Sequence, residues 1–337
     1  MEKILRSICV FAEKASTKEI ALLDSLAHLF HDHQFSTQTQ RICLSMYQQA
    51  LDEKELAKTG ILIGFGSQSW QTFQNYLPHF ITTKDKNITL DLTHEDITLQ
   101  HIEPLFQIIE NNAKNTFTFS FGFNLPPSSP FFPSALFGKK GFSIGLQATD
   151  LSDGCSSLEQ WFAAMKRTWD EIDALARPVE GYLGIDSSVA PLFSGKSSFV
   201  NFIKRLGLDF SHSVIMDVYT RTAAFIKKEN PRPVGLCGLM FPCLEDFELA
   251  EEYENGNFTI ERNLFLSLHS GLGIDVYPIG IDQDRHTVVG IARLVQQLSN
   301  KYQKPLAIRF VSDGKARIGE TSNFANQYLK DVVIRAL

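Results

Sequence analysis

Hydrophobic and polar positions follow two rhythms that alternate along the chain. Residues 4–11 (ILRSICVF) form an apolar run of strand length. Residues 17–33 then set Ile20, Leu22, Leu23, Leu26, Leu29 and Phe30 at helical spacing. Residues 35–44 alternate as a strand, 47–58 read as a helix and 60–65 (GILIGF) as a short buried strand. Further on, 97–112 is helical and 116–125 (TFTFSFGFNL) alternates strongly. The following loop holds four prolines, which forbid regular ladder pairing. Strand 142–148 leads to an amphipathic helix over 156–176 carrying Trp161, Met165, Trp169 and Ile172. The second half continues with strand 182–185, helix 214–228, strand 235–240, helix 259–270, strand 276–279, helix 288–301 and strand 306–311.

Strands alternating with helices of ten to seventeen residues imply crossover connections and largely parallel pairing. The expected class is α/β. No linker or composition break divides the chain, so residues 1–337 read as one domain. From this pattern, an open sheet and a closed barrel are equally defensible.

Composition narrows the function classes. A formal net charge of −6, with no basic block, gives phosphate backbones nothing to bind, so no nucleic-acid partner is expected. The 27 phenylalanines fit a large aromatic core. Five scattered cysteines without a C-x-x-C suit a reduced compartment. The sequence shows neither a signal-peptide core nor 18 uncharged apolar residues in a row, so a cytoplasmic protein without a membrane partner is expected.

Familiar motifs fail on inspection. Gly195-Lys196-Ser197 has Ala190 where a phosphate-binding loop needs its first glycine, and Gly64-Phe65-Gly66 lacks the third glycine of a dinucleotide fold. No nucleotide cofactor is expected. His94-Glu95 has no second histidine at metalloprotease spacing, His31 and His33 point to different helix faces, and no G-x-S-x-G elbow or kinase set is present.

Carboxylates gather after residue 180. Asp186, Glu245-Asp246, Asp282 and Glu320 follow strands, Asp275 opens one, and Arg309 sits within LAIRFV ahead of Lys315. In parallel α/β architectures the carboxyl ends of strands converge on the ligand side. Converging acids repel unless a cation neutralises them or one carries a raised pKa. Asp186, Glu245 and Glu320 are therefore candidate catalytic groups, and Asp246, Asp275 and Asp282 candidate ligands of a divalent cation (Ca²⁺, Mg²⁺, Mn²⁺ or Zn²⁺). Arg309, Lys315 and Ser270 are candidate substrate contacts. Singly, an Asp after a strand is more often a helix cap, and Asp186 before SSVAP suits that role.

Several blocks resemble the DUF711 (UPF0210) family: NLPPSSPFFPSALF (124–137), FSIGLQATDL (142–151), GYLGIDSSVAPL (181–192), GLMFPCLED (238–246), GLGIDVYPIGID (271–282), SDGKARIGETSNF (312–324) and, near the start, FSTQTQRI (35–42). The resemblance implies the ten-stranded α/β barrel of pyruvate formate-lyase-like proteins. It does not imply their radical chemistry: the chain has no R-V-x-G-Y-like loop and no adjacent cysteine pair, so no glycyl radical is expected. Where the family shows C-G-T-G-L-D-T-V-P, this chain has Ser270 and Leu272 in place of the cysteine and the first threonine.

Two readings follow. The first is an enzyme acting on a small polar metabolite, with a divalent cation, in an acidic barrel mouth. The alternative is a non-catalytic metabolite- or metal-binding protein using the same pocket. A homo-oligomer is expected from the fold class alone.

Overall fold

The computed structural model describes residues 3–45, 59–84 and 86–337; the helix expected over 47–58 lies outside them. Ten strands form one sheet: β1 (Lys3–Ala12), β2 (Phe35–Thr37), β3 (Gln40–Leu44), β4 (Leu62–Gln68), β5 (Lys86–Asp91), β6 (Phe119–Phe123), β7 (Gly141–Leu146), β8 (Tyr182–Asp186), β9 (Gly273–Pro278) and β10 (Leu306–Val311). The order is β8-β7-β1-β3-β4-β5-β6-β10-β9, with short β2 beside β1. Strands β1 and β3 to β6 are parallel, as are the pairs β7–β8 and β9–β10. The two halves meet antiparallel at β1–β7 and β6–β10.

Parallel bridges Ile185↔Pro233, Val189↔Leu239, Leu239↔Gly271 and Pro242↔Asp275 join β8 to β9 through the segment 233–242. The circuit thus closes as a barrel. That segment corresponds to the strand expected over 235–240, but it pairs only by single bridges. Gly235 and Cys237 take left-handed backbone (φ 71° and 46°), which breaks the pleat.

The helices are α1 (Thr17–Asp32), α2 (Trp70–Thr82), α3 (Leu99–Asn112), α4 (Leu158–Ala176), α5 (Phe199–Arg205), α6 (Phe210–Ser213), α7 (Val218–Glu229), α8 (Phe247–Glu254), α9 (Ile260–His269) and α10 (Arg285–Tyr302). Ser16, Ser157 and Thr259 cap α1, α4 and α9 by accepting backbone N–H bonds of the first turn. Five of these elements, α2, β5, α5, α6 and α8, are additions to the expected set. Among the described residues no helix is long and apolar enough to cross a membrane.

Strand side chains alternate between two cores. Ile8, Val10, Ile42 and Leu44 join Leu23, Leu26 and Phe30 of α1 in the outer core. On the other face, Cys9, Phe11 and Cys43 pack around Ala135. Ala135 belongs to the proline-rich loop, so residues 124–138 run inside the barrel as a plug. Thr89 Oγ1 donates to the Pro133 carbonyl at 2.8 Å, and Arg41 Nη1 to that of Pro130 at 3.2 Å. The strands make room for its rings with glycine. A Cβ on Gly64 would lie 2.8 Å from the Phe132 ring, and one on Gly145 2.7 Å from Phe131.

Candidate active site

Beside the plug lies a chamber of about 660 Å³, within the size range of small-molecule sites. Leu62, Asn87 and Thr118 line it from the amino ends of β4, β5 and β6. Because the second half runs antiparallel, these ends meet Glu245, which follows the bridging segment, and Asp275 and Arg309 of β9 and β10. The C-terminal tail adds Asn326 and Tyr328, the latter stacked on Phe193 with ring centroids 5.7 Å apart.

Three arginines and two carboxylates face this space. Arg309 donates from Nε to Asp275 Oδ1 at 2.7 Å and from Nη2 to Glu245 Oε1 at 3.4 Å, with its guanidinium over the Phe117 ring. Arg6 holds the other oxygen, Glu245 Oε2, at 3.2 Å, and Gln38 Oε1 at 3.1 Å. Burial pushes the Glu245 carboxyl up, while Arg309 and Arg6 pull it back. Burial lowers Arg309 as well, yet Asp275 and Glu245 outweigh it and hold that guanidinium above its ordinary value.

Arg41 is different. It donates to Thr39 Oγ1 at 3.0 Å and to the Pro130 carbonyl, and it lies over the Phe132 ring at 5.0 Å. Among the described residues no carboxylate lies within ion-pair distance of it. Burial, reinforced by the charge of Arg6, depresses its pKa to about 9. Among the described residues the chamber therefore carries one more positive than negative side chain, and the excess resides on a guanidinium 8% exposed.

The candidates from the sequence fall into two groups. Glu245, Asp275 and Arg309 come together on the chamber wall. The others lie elsewhere. Asp186 is buried and accepts from the backbone N–H of Ser188, Leu236 and Cys237 and from the hydroxyls of Ser129 and Ser188. Asp246 caps α8 through Leu249 N–H and also accepts from Phe199 N–H. Exposed Asp282 accepts from Ile318 N–H, and exposed Glu320 from Arg317 N–H. Lys315 is exposed on the turn closed by Asp313. Ser270 shares a hydrogen bond of 2.7 Å with His269 Nδ1.

The expected cation ligands are thus dispersed: Asp246 onto a helix cap, Asp282 onto a surface turn and Asp275 onto an arginine. Among the described residues no group of three or more His, Cys, Asp or Glu side chains is placed to hold a metal ion. The cysteines are buried, and burial raises the Cys9 thiol to about 12 and Cys43 well above the ordinary range, which disfavours thiolates.

Sequence reasoning missed Arg6, Gln38 and Arg41. The available signal was an arginine set among the apolar residues of two strands, ILRSICVF and TQRICL.

The fold and chamber define a closed α/β barrel with an internal, arginine-rich cavity of about 660 Å³. The chain belongs to the DUF711 family: the family model described as "Uncharacterised ACR (DUF711)" matches residues 81–325. Arg6 and Arg41 precede the matched region. No curated protein matches the chain.

Proposed function

We propose that the chamber is the working site of an enzyme whose substrate is a small metabolite bearing an anionic group, held by Arg41. The observation that carries this reading is the buried guanidinium of Arg41, which faces a ligand-sized cavity and has no carboxylate partner among the described residues. A buried charge without a counter-ion is costly, and an incoming carboxylate or phosphate removes that cost. Glu245 is the group positioned for acid–base work: its pKa is raised by burial, and both oxygens face the chamber through arginines rather than backbone. The divalent cation has no separate place in this proposal, since Glu245 and Asp275 already neutralise arginines. The alternative, a binding protein using the same cavity, shares every binding contact and differs only in leaving its ligand unchanged.

Thermal unfolding against a panel of anions tests the reading. Acetate, inorganic phosphate and larger organic acids are expected to raise the midpoint of the wild type, and Arg41→Gln to abolish the rise. A wild type indifferent to every anion, or an Arg41→Gln response equal to wild type, refutes it. Turnover of a bound compound, lost in Glu245→Gln, separates enzyme from binder.

A further inference from the structure

We infer that the ligand is a monocarboxylate with an apolar body, its carboxylate on Arg41 and its body along the wall made by Leu236, Met240, Leu272 and Ile274. This rests on the reading of the chamber as an anion site and adds the class of molecule.

The head group follows from counting donors. A guanidinium has five N–H groups. Arg41 uses one on Thr39 Oγ1 and one on the Pro130 carbonyl, which leaves the Nη2 pair and one hydrogen of Nη1. Phe132 covers one face of the group, so an anion reaches it along an edge, the geometry that fits a planar carboxylate with two parallel bonds. Thr37 Oγ1, a further hydroxyl of the chamber lining, is buried without a hydrogen-bond partner among the described residues. The number of charges follows from the balance: with Asp275 and Glu245 matching two guanidiniums, one negative charge completes the chamber. A dianion leaves a buried charge unmatched.

The body follows from the aliphatic part of the lining. Leu236 and Leu272 are buried, Met240 is half-buried, and all three line the cavity with Ile274. Leu272 seats its side chain against Gly238, where a Cβ would lie 2.7 Å from the leucine Cδ2. These aliphatic groups offer a sugar or a polyol no hydrogen bonds, and they reward each methylene brought out of water.

Titration calorimetry of the full chain with acetate, butyrate, hexanoate, succinate and glycerol 3-phosphate tests this. The affinity is expected to rise about 4-fold per methylene from acetate to hexanoate. Met240→Gln should flatten that rise, and Arg41→Gln should abolish binding of every acid. Succinate or glycerol 3-phosphate binding more tightly than hexanoate overturns this inference and leaves the anion site standing. Equal affinity across acetate, butyrate and hexanoate overturns it in the same way. Absence of binding by all five overturns both. Circular dichroism of each variant checks that loss of binding is not loss of fold.

Discussion

Replacing Asp186 with asparagine changes one atom, and the structure sets what that atom is worth. Oδ1 accepts from Ser188 N–H at 3.0 Å, Ser188 Oγ at 2.6 Å and Cys237 N–H at 3.0 Å. Oδ2 accepts from Ser129 Oγ at 2.7 Å and Leu236 N–H at 2.8 Å. Asparagine keeps one accepting oxygen, and its best orientation retains the end with three donors. The amide NH₂ then faces Ser129 and Leu236. The serine hydroxyl rotates and accepts, but the Leu236 N–H does not move and is left buried without an acceptor. An orphaned buried donor costs about 1–3 kcal/mol, and the remaining bonds lose the assistance of the carboxylate charge. Asp186→Asn is therefore expected to destabilise by about 2–4 kcal/mol, and Asp186→Ala, which strands three backbone N–H groups, by more. Urea unfolding at pH 7 measures both. An Asp186→Asn variant within about 0.5 kcal/mol of wild type would falsify the assignment of this carboxylate to backbone organisation.

Further expectations follow from the same geometry. Burial raises Asp246 from an ordinary 3.8 to about 7, so its contribution to stability is full below the unfolded value and is lost as pH rises through about 7. Wild type should lose on the order of a few kcal/mol more than Asp246→Asn between pH 4 and 8, read from urea midpoints at both; parallel profiles contradict this. Glu245→Gln should cost about 3 kcal/mol, because Arg6 and Arg309 then share no carboxylate, yet bind acetate roughly 5-fold more tightly through the added positive charge. Calorimetry showing weaker acetate binding rejects that balance. Gly145→Ala should lower stability by about 2 kcal/mol as the new methyl meets the Phe131 ring; an unchanged thermal midpoint means the plug is not held there. Dialysis against EDTA should leave the midpoint of the purified protein unchanged, and a fall restored by Zn²⁺ or Ca²⁺ would place a cation that the dispersed acids do not.

Elements with strong internal periodicity were legible in the sequence. The alternation of TFTFSFGF found β6, and Trp161, Met165, Trp169 and Ile172 found α4. Helix α2 escaped because SWQTFQNYLPHF is rich in polar residues and carries Pro78 inside the helix. The site was half legible for a topological reason. Reading carboxyl ends of strands located Glu245, while Asp275 at a strand opening and Arg309 within a strand stood out as charges in apolar runs; all three belong to the second half of the barrel. The first half runs the other way at this mouth, so its contribution comes from amino ends and from Arg6 and Arg41 within strands. No local pattern announces that reversal. The acids outside the chamber misled because a carboxylate serves a helix cap or a turn as readily as a ligand.

The loop at 124–138 has a consequence for how the barrel is made. It lies between β6 and β7, at the seam between the two halves in sequence as well as in space. The first five staves emerge from the ribosome before it and the remaining staves after it. In this order the contacts of the loop with Gly64 and Thr89 are available to it before Gly145 and Asp186 have been made. A barrel closed first would have to admit three phenylalanines and four prolines to its interior. A circular permutant starting at β7 presents the second half first, and during synthesis it should fold more slowly than the natural order while reaching the same native state.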